Sequence, residues 1–278
     1  MLFNTMLTQR IFTALVGIPL IVCSIWFGYL PFLVFVLALV ILSSWEFNRL
    51  LTLIGLKPFL TLNIILSILV VLSIVFTGGK LAVAASNDAT GAILCLILIV
   101  LFFSNFFRKN IAQAVLDIAG GFLGVIYAAW MLAHLILLRD IAPLGREYTF
   151  LLFFVIWGVD IGAYFVGKRY GRHSLFATIS PKKTLEGAVG GLILGVGISF
   201  LVSFLLIKNL SWAHSLGLGL IIGIFGQMGD YAESLIKRNA EIKDSSDLLP
   251  GHGGILDRFD SLIFTAPLVY YYIKFFVL

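Results

Sequence analysis

The sequence predicts an all-α, polytopic integral membrane protein of about nine transmembrane helices, and three observations lead there. The 278-residue chain is 60% hydrophobic and only 12% charged, about half the charge fraction of a soluble domain. Its mean hydropathy is +1.08, and surface-to-volume limits would leave much of that apolar content facing water in a soluble domain of this size. Apolar runs near the roughly 20 residues that cross a bilayer as helix recur nine times.

In order, the runs are 11–29, 31–47, 59–77, 91–107, 116–138, 148–167, 187–207, 213–232 and 259–277. The first is not a cleaved signal peptide, because it is too long and no small-x-small site follows it. The second is short for a span. Gly191/Gly195 and Gly219/Gly223 each form a G-x-x-x-G, which in lipid reads as close helix packing. Cys23 and Cys95 fall inside apolar runs and read as buried free thiols, so they carry no information on redox compartment. His134 and His214, alone in apolar or boundary surroundings, read as structural. No tandem repeat or low-complexity tract is visible.

Orientation follows from the basic residues. With the N-terminus in the cytoplasm and nine crossings, fourteen Lys and Arg fall on the cytoplasmic side and five (Lys80, Arg139, Arg146, Lys208, Lys274) on the other. The positive-inside rule favours that choice. The net charge of +5 does not suggest nucleic acid, since the basic residues sit in short loops between apolar runs. The expected location is a bacterial-type inner membrane, with the N-terminus and the loops 168–186 and 233–258 cytoplasmic. Residues 1–115 form an N-terminal transmembrane region, and 116–278 the transmembrane region that carries those loops.

Charge is concentrated there: residues 168–186 and 233–260 together hold 16 of the 33 charges. Solubility alone does not require that density, nor the glycines that accompany it. A polyanion with a metal is the economical explanation. Asp230, Glu233/Ser234 and Lys237 recur at i, i+3/i+4, i+7, so they share a face if the eighth helix continues past its apolar run. A carboxylate with a lysine two turns on suits a metal beside a phosphate; an intrahelical ion pair is the plainer alternative. Further on, Gly251, Gly253 and Gly254 permit positive φ and let N–H groups approach an anion. Asp257 and Asp260, three apart at the start of the last span, lie on one helical face, where capping is the plainer alternative.

Asp160 lies inside an apolar run, about 10 Å from its cytoplasmic end, and an intramembrane carboxylate is by default functional. Lys182 and Lys183 follow Pro181 and precede a helix opened by Thr184, with Glu186 near its first turn. Basic residues beside a helix N-terminus can bind triphosphate oxygens; anchoring to anionic lipid is the alternative.

The segment from Ser234 to Asp260, through Lys237-Arg238, Lys243-Asp244, Leu249-Pro250, His252-Gly253-Gly254 and Asp257-Arg258-Phe259-Asp260, resembles the signature of the phosphatidate cytidylyltransferases, the CDP-diacylglycerol synthases. No position departs from that pattern over its 27 residues. Asp160-Ile161-Gly162-Ala163-Tyr164, with Gly167, Gly171 and Arg172, is similar to that family's acid-x-Gly-Ala-Tyr block. Ser180-Pro181-Lys182-Lys183-Thr184-Leu185-Glu186-Gly187 resembles a second block. The resemblance is strong over 148–278 and weaker before, where Trp45-Glu46-Phe47 is a short echo.

The resemblance implies CTP and phosphatidate as substrates, magnesium as cofactor with a second cation left open, and a helical membrane fold, usually dimeric. The expected reaction is nucleotidyl transfer in phospholipid synthesis, yielding CDP-diacylglycerol and pyrophosphate. Asp230 and Asp257 are the expected metal ligands, with Asp160 and Asp260 as alternatives or supports to them. Lys237, Arg238 and His252 are expected on phosphates, and Lys182 and Lys183 on the triphosphate or lipid head group. Ser180, Thr184, Lys243, Gly253, Gly254 and Arg258 complete the expected binding residues. A CTP-dependent lipid-alcohol kinase and a transporter are the rival readings. The Asp-Gly-x-x-Ala-Arg motif of the CDP-alcohol phosphotransferases is absent from the sequence.

Overall fold

The computed structural model describes residues 2–78, 89–108 and 111–278. Lys80 and Lys109, both counted in the charge bias, lie outside the described residues. Among those described there are nine helices: α1 (Leu2–Phe27), α2 (Tyr29–Leu53), α3 (Leu60–Thr77), α4 (Ala89–Phe106), α5 (Ala114–Asp140, with a π-helical turn at Ile126–Trp130), α6 (Gly145–Tyr170), α7 (Leu185–Leu206), α8 (Trp212–Asn239) and α9 (Leu256–Tyr272). No named strand occurs among them, and two isolated bridges, Ser174 with Thr184 and Leu249 with Gly253, pin loops. Helices α2, α3, α5, α6 and α7 are long and apolar enough to cross a membrane. The protein is a polytopic membrane protein, as the apolar runs require. The short second run belongs to a 25-residue helix, because polar residues such as Glu46 and Asn48 are buried within it rather than ending it.

The chain divides into two compact units, residues 1–140 with 239–258, and residues 141–238 with 259–278. In the first, Phe32, Val36, Val40, Phe47 and Leu50 of α2 are buried, recurring three, four or seven residues apart as one helical face demands. Val70 and Ile74 of α3 and Val125 and Leu132 of α5 are buried as well, and both of those helices pack on α2. Buried polar groups are paired between α2 and α3: Asn63 Nδ2 donates to Asn48 Oδ1 at 2.7 Å and Ser44 Oγ to Ser67 Oγ at 3.0 Å. Without water to bond to, such groups must find each other. Asp117 of α5 ties the α2–α3 turn, accepting from Lys57 N at 2.8 Å and pairing with Arg108.

In the second unit, α6 and α7 approach through glycines. A Cβ added at Gly191 would come 2.7 Å from Val159 O, and one at Gly162 2.8 Å from Gly190 O. Gly219 of α8 lies against Val196 of α7, and Gly223 against Leu192. Both G-x-x-x-G pairs therefore serve close packing, as small residues do in lipid, where dispersion rather than hydrophobicity drives helix association.

The cysteines depart from expectation. Cys23 and Cys95 are free, but both are exposed. A lipid-facing helix surface is as apolar as a core, so hydropathy of the surrounding run does not distinguish an inward thiol from an outward one.

Candidate active site

Helix α8 runs on to Asn239, past its apolar stretch, so Asp230, Glu233 and Lys237 do share one face. Lys237 Nζ stands 2.7 Å from Glu233 Oε2, and Glu233 has no solvent exposure. A carboxylate so buried keeps its charge only with a cation or donors beside it. Gly229 then brings α9 onto α8: a Cβ there would come 2.6 Å from Asp260 O. That close approach puts Asp260 beside Asp230. Asp230, Glu233 and Asp260 each offer an oxygen, and these lie within 4.8 Å of one another.

Lys183, from the loop before α7, pairs with Asp230 and sits 4.6 Å from the centre of the Tyr231 ring. The Asp260 carboxylate feels the negative charges of Asp230 and Asp160 and the positive charge of Lys183. Asp230, Glu233 and Asp260 converge beside the ammonium groups of Lys183 and Lys237. Three carboxyl oxygens so close together suit a hard divalent cation, which takes oxygen ligands.

The 171–186 loop is organised by its own polar groups. Thr184 caps α7, its Oγ1 accepting from Gly187 N at 3.2 Å. Glu186 Oε2 accepts from the backbone N–H of Arg172 and His173 at 3.0 and 3.3 Å, and His173 Nδ1 lies 2.6 Å from Oε1. Ser180 O accepts from Lys183 N at 3.2 Å, turning the chain so that Lys182 is exposed while Lys183 reaches Asp230. Arg238 Nε donates to Ile179 O at 3.2 Å. His134 and His214 have structural partners, Trp130 O and the Tyr272 hydroxyl.

In the first unit, the 239–258 segment folds on itself. Gly251 and Gly253 adopt φ of 76° and 83°, the left-handed region that side chains disfavour. Asp257 Oδ2 accepts from Ser245 N at 2.9 Å and Gly254 N at 2.8 Å, and lies 2.9 Å from Ser245 Oγ. Arg258 Nε donates to His252 O at 2.9 Å, and His252 Nδ1 meets Thr13 Oγ1. Lys243 and Arg258 are exposed and Gly254 is buried.

The model of the cytidylyltransferase family matches residues 8–276, almost the whole chain. The chain belongs to that family. Among curated relatives, a phosphatidate cytidylyltransferase of Synechocystis sp. is 35% identical over 96% of this chain and 96% of its own length. One of Bacillus subtilis is 32% identical over 96% and 98% respectively. A third, of Staphylococcus aureus, is 45% identical over 125 residues, 45% of this chain and 48% of its own.

Two residues of this family member stand out in the structure more than in the sequence. Glu233 was visible on the α8 face but gave no sign of meeting Asp260, because that meeting depends on how α8 and α9 pack. Glu46, buried in α2, gathers the 239–258 segment through hydrogen bonds from Ser246 Oγ, Ile255 N and Leu256 N, with Ser245 Oγ a fourth donor shared with Asp257. The signal that finds it is the one that found Asp160: a lone carboxylate inside an apolar run.

Proposed function

We propose that the chain is a nucleotidyltransferase joining CTP to phosphatidate, giving CDP-diacylglycerol and pyrophosphate. The carrying observation is the convergence of Asp230, Glu233 and Asp260 beside Lys183 and Lys237. The identity of the substrates is supported by the names of relatives aligned over nearly the full chain. Magnesium fits the donor set: three hard carboxylate oxygens suit a cation that binds through a few carboxylates plus substrate phosphates. Asp230, Asp260 and Glu233 would hold it, and it would supply charge neutralisation at phosphate oxygens. Asp257, the ligand expected alongside Asp230, has Oδ2 accepting from its own loop, and we assign it to ordering that loop.

The chain's own residues then act by position and charge. Phosphatidate is an ionised phosphate at neutral pH and needs no strong general base. Its oxygen attacks the α-phosphorus of CTP in line, and pyrophosphate leaves. Lys183, Lys237 and Arg238 offset charge on the phosphates, with Lys182 and the α7 N-terminus offering further donors. In the 239–258 segment His252, Gly253, Lys243 and Arg258 contact substrate phosphate, while Gly254, buried with its N–H given to Asp257 Oδ2, shapes the turn that presents them; Ser180 and Thr184 shape the loop that carries Lys182 and Lys183. Holding reactants in line and stabilising charge supply most of the rate in such transfers. The N-terminus and both loops face the cytoplasm in this reading, supported by the bias of basic residues, and the protein works as a homodimer in the lipid that contains its substrate.

The test is incubation of purified protein with phosphatidate, magnesium and CTP labelled separately in the base and the γ-phosphate. Base label is expected in the lipid and γ label in pyrophosphate. Lipid carrying the γ label would replace this reading with phosphoryl transfer to a lipid.

A further inference from the structure

Glu46 takes no part in the chemistry proposed above, yet it is a carboxylate with no solvent exposure in an apolar helix. Oε1 accepts from Ser246 Oγ at 2.5 Å and from Ile255 N at 2.9 Å. Oε2 accepts from Leu256 N at 2.6 Å and lies 2.9 Å from Ser245 Oγ. The donors come from both flanks of residues 247–254, so one side chain draws the two ends of that stretch together. Ile255 and Leu256 stand at the start of α9, where backbone N–H groups lack intrahelical acceptors. A negative charge is favoured there by the helix dipole.

The neighbourhood is built around this carboxylate. A Cβ at Gly254 would come 2.5 Å from Oε1 and 2.7 Å from Oε2, so the chain passes Glu46 at a distance that only glycine allows. Ser245 Oγ lies equally close to Glu46 and to Asp257 Oδ2, and its single proton serves one of them at a time. Arg49, one turn along α2, reaches Ser245 O at 3.4 Å. Simple capping of α9 would need only the two N–H groups. The serine hydroxyls from the opposite flank have no place in a cap, and they close the loop that holds His252 and Gly253.

We infer that Glu46 is a positioning residue, whose buried carboxylate folds Ser245–Leu256 into the shape in which that loop binds substrate phosphate. It acts through the loop and touches no substrate. The inference rests on the loop's phosphate-binding role proposed above.

Glu46→Gln tests it in the full-length protein purified in detergent. The amide keeps one acceptor oxygen and turns an N–H₂ toward two of the four donors. Amide exchange in peptides covering 245–256 is expected to quicken by roughly tenfold or more, while α3 peptides hold. The value of kcat/KM for CTP is expected to fall by roughly tenfold or more, chiefly through KM. Unchanged exchange overturns the inference. A fall in kcat alone, matching a smaller folded fraction with KM unaltered, overturns it as well, since that is what a merely structural residue gives. Faster exchange with unaltered kinetics would keep the Glu46 contacts but remove the loop's phosphate-binding role, and the inference with it. If Glu46→Gln does not fold, the double variant Ser245→Ala/Ser246→Ala keeps the carboxylate and both N–H bonds; it is expected to show a smaller loss in the same direction, and wild-type exchange and KM there overturn the inference.

Discussion

Replacing Lys237 with methionine removes an ammonium that stands 2.7 Å from the fully buried carboxylate of Glu233. At that separation the Coulomb attraction is about 6 kcal/mol at an effective dielectric of about 20. Neighbours relax toward the orphaned charge, and breaking a buried pair costs about 3–5 kcal/mol in practice. We therefore expect Lys237→Met to lose about 3–5 kcal/mol of stability, read as the urea-unfolding free energy in detergent by tryptophan fluorescence. Adding Glu233→Gln removes the orphaned charge, and the double variant should recover at least half of the loss. It should nevertheless stay inactive in cytidine transfer to lipid, because the third carboxylate oxygen is gone. A single variant within about 1 kcal/mol of wild type, below the usual cost of an orphaned charge, would refute the reasoning. So would a double variant as unstable as the single one.

Asp230→Asn and Asp260→Asn should raise the magnesium needed for half-maximal turnover by roughly tenfold or more, whereas Asp257→Asn should lower activity at an unaltered magnesium requirement; a magnesium titration in which Asp257→Asn shifts like Asp230→Asn makes Asp257 a ligand. Gly191→Leu inserts a side chain where even a Cβ meets Val159 O at 2.7 Å, and a cost of about 1–3 kcal/mol is expected from overpacking, measured by the same unfolding assay, with wild-type stability contradicting the packing. Single cysteines at the exposed positions Arg172 and Asp247, placed in a chain lacking Cys23 and Cys95, should react with impermeant reagents only from the cytoplasmic side, and labelling of either from outside intact cells overturns the orientation. With CTP made chiral by sulfur at the α-phosphorus, direct transfer gives inverted configuration in the lipid product, and retention sends the search to a covalent intermediate on a hydroxyl such as Ser180 or Thr184.

How far the site was legible varies from residue to residue. Asp230 and Lys237 were readable because helical periodicity is local: once α8 continues, their common face follows from spacing alone. The Thr184 cap and the positive φ of Gly251 and Gly253 were readable for the same reason. Asp257 and Asp260 stand three residues apart on one expected helical face, with Asp257 the expected ligand and Asp260 the alternative or support. They differ because Gly229 brings the Asp260 backbone against α8, while Asp257 turns back to Gly254 and Ser245.

By itself the sequence determined that this is a helical membrane protein with two polar loops of dense charge. Apolar run length and charge density are properties of contiguous residues, and the cost of placing each in lipid or water is nearly independent of the rest of the chain. Tertiary structure alone decided which carboxylates converge, that Glu233 is fully buried beside Lys237, and that Glu46 of α2 closes a loop some two hundred residues away. Those contacts depend on where one helix crosses another and on which glycines let backbones touch. A hydrogen bond between distant residues leaves no periodic trace in either segment that makes it.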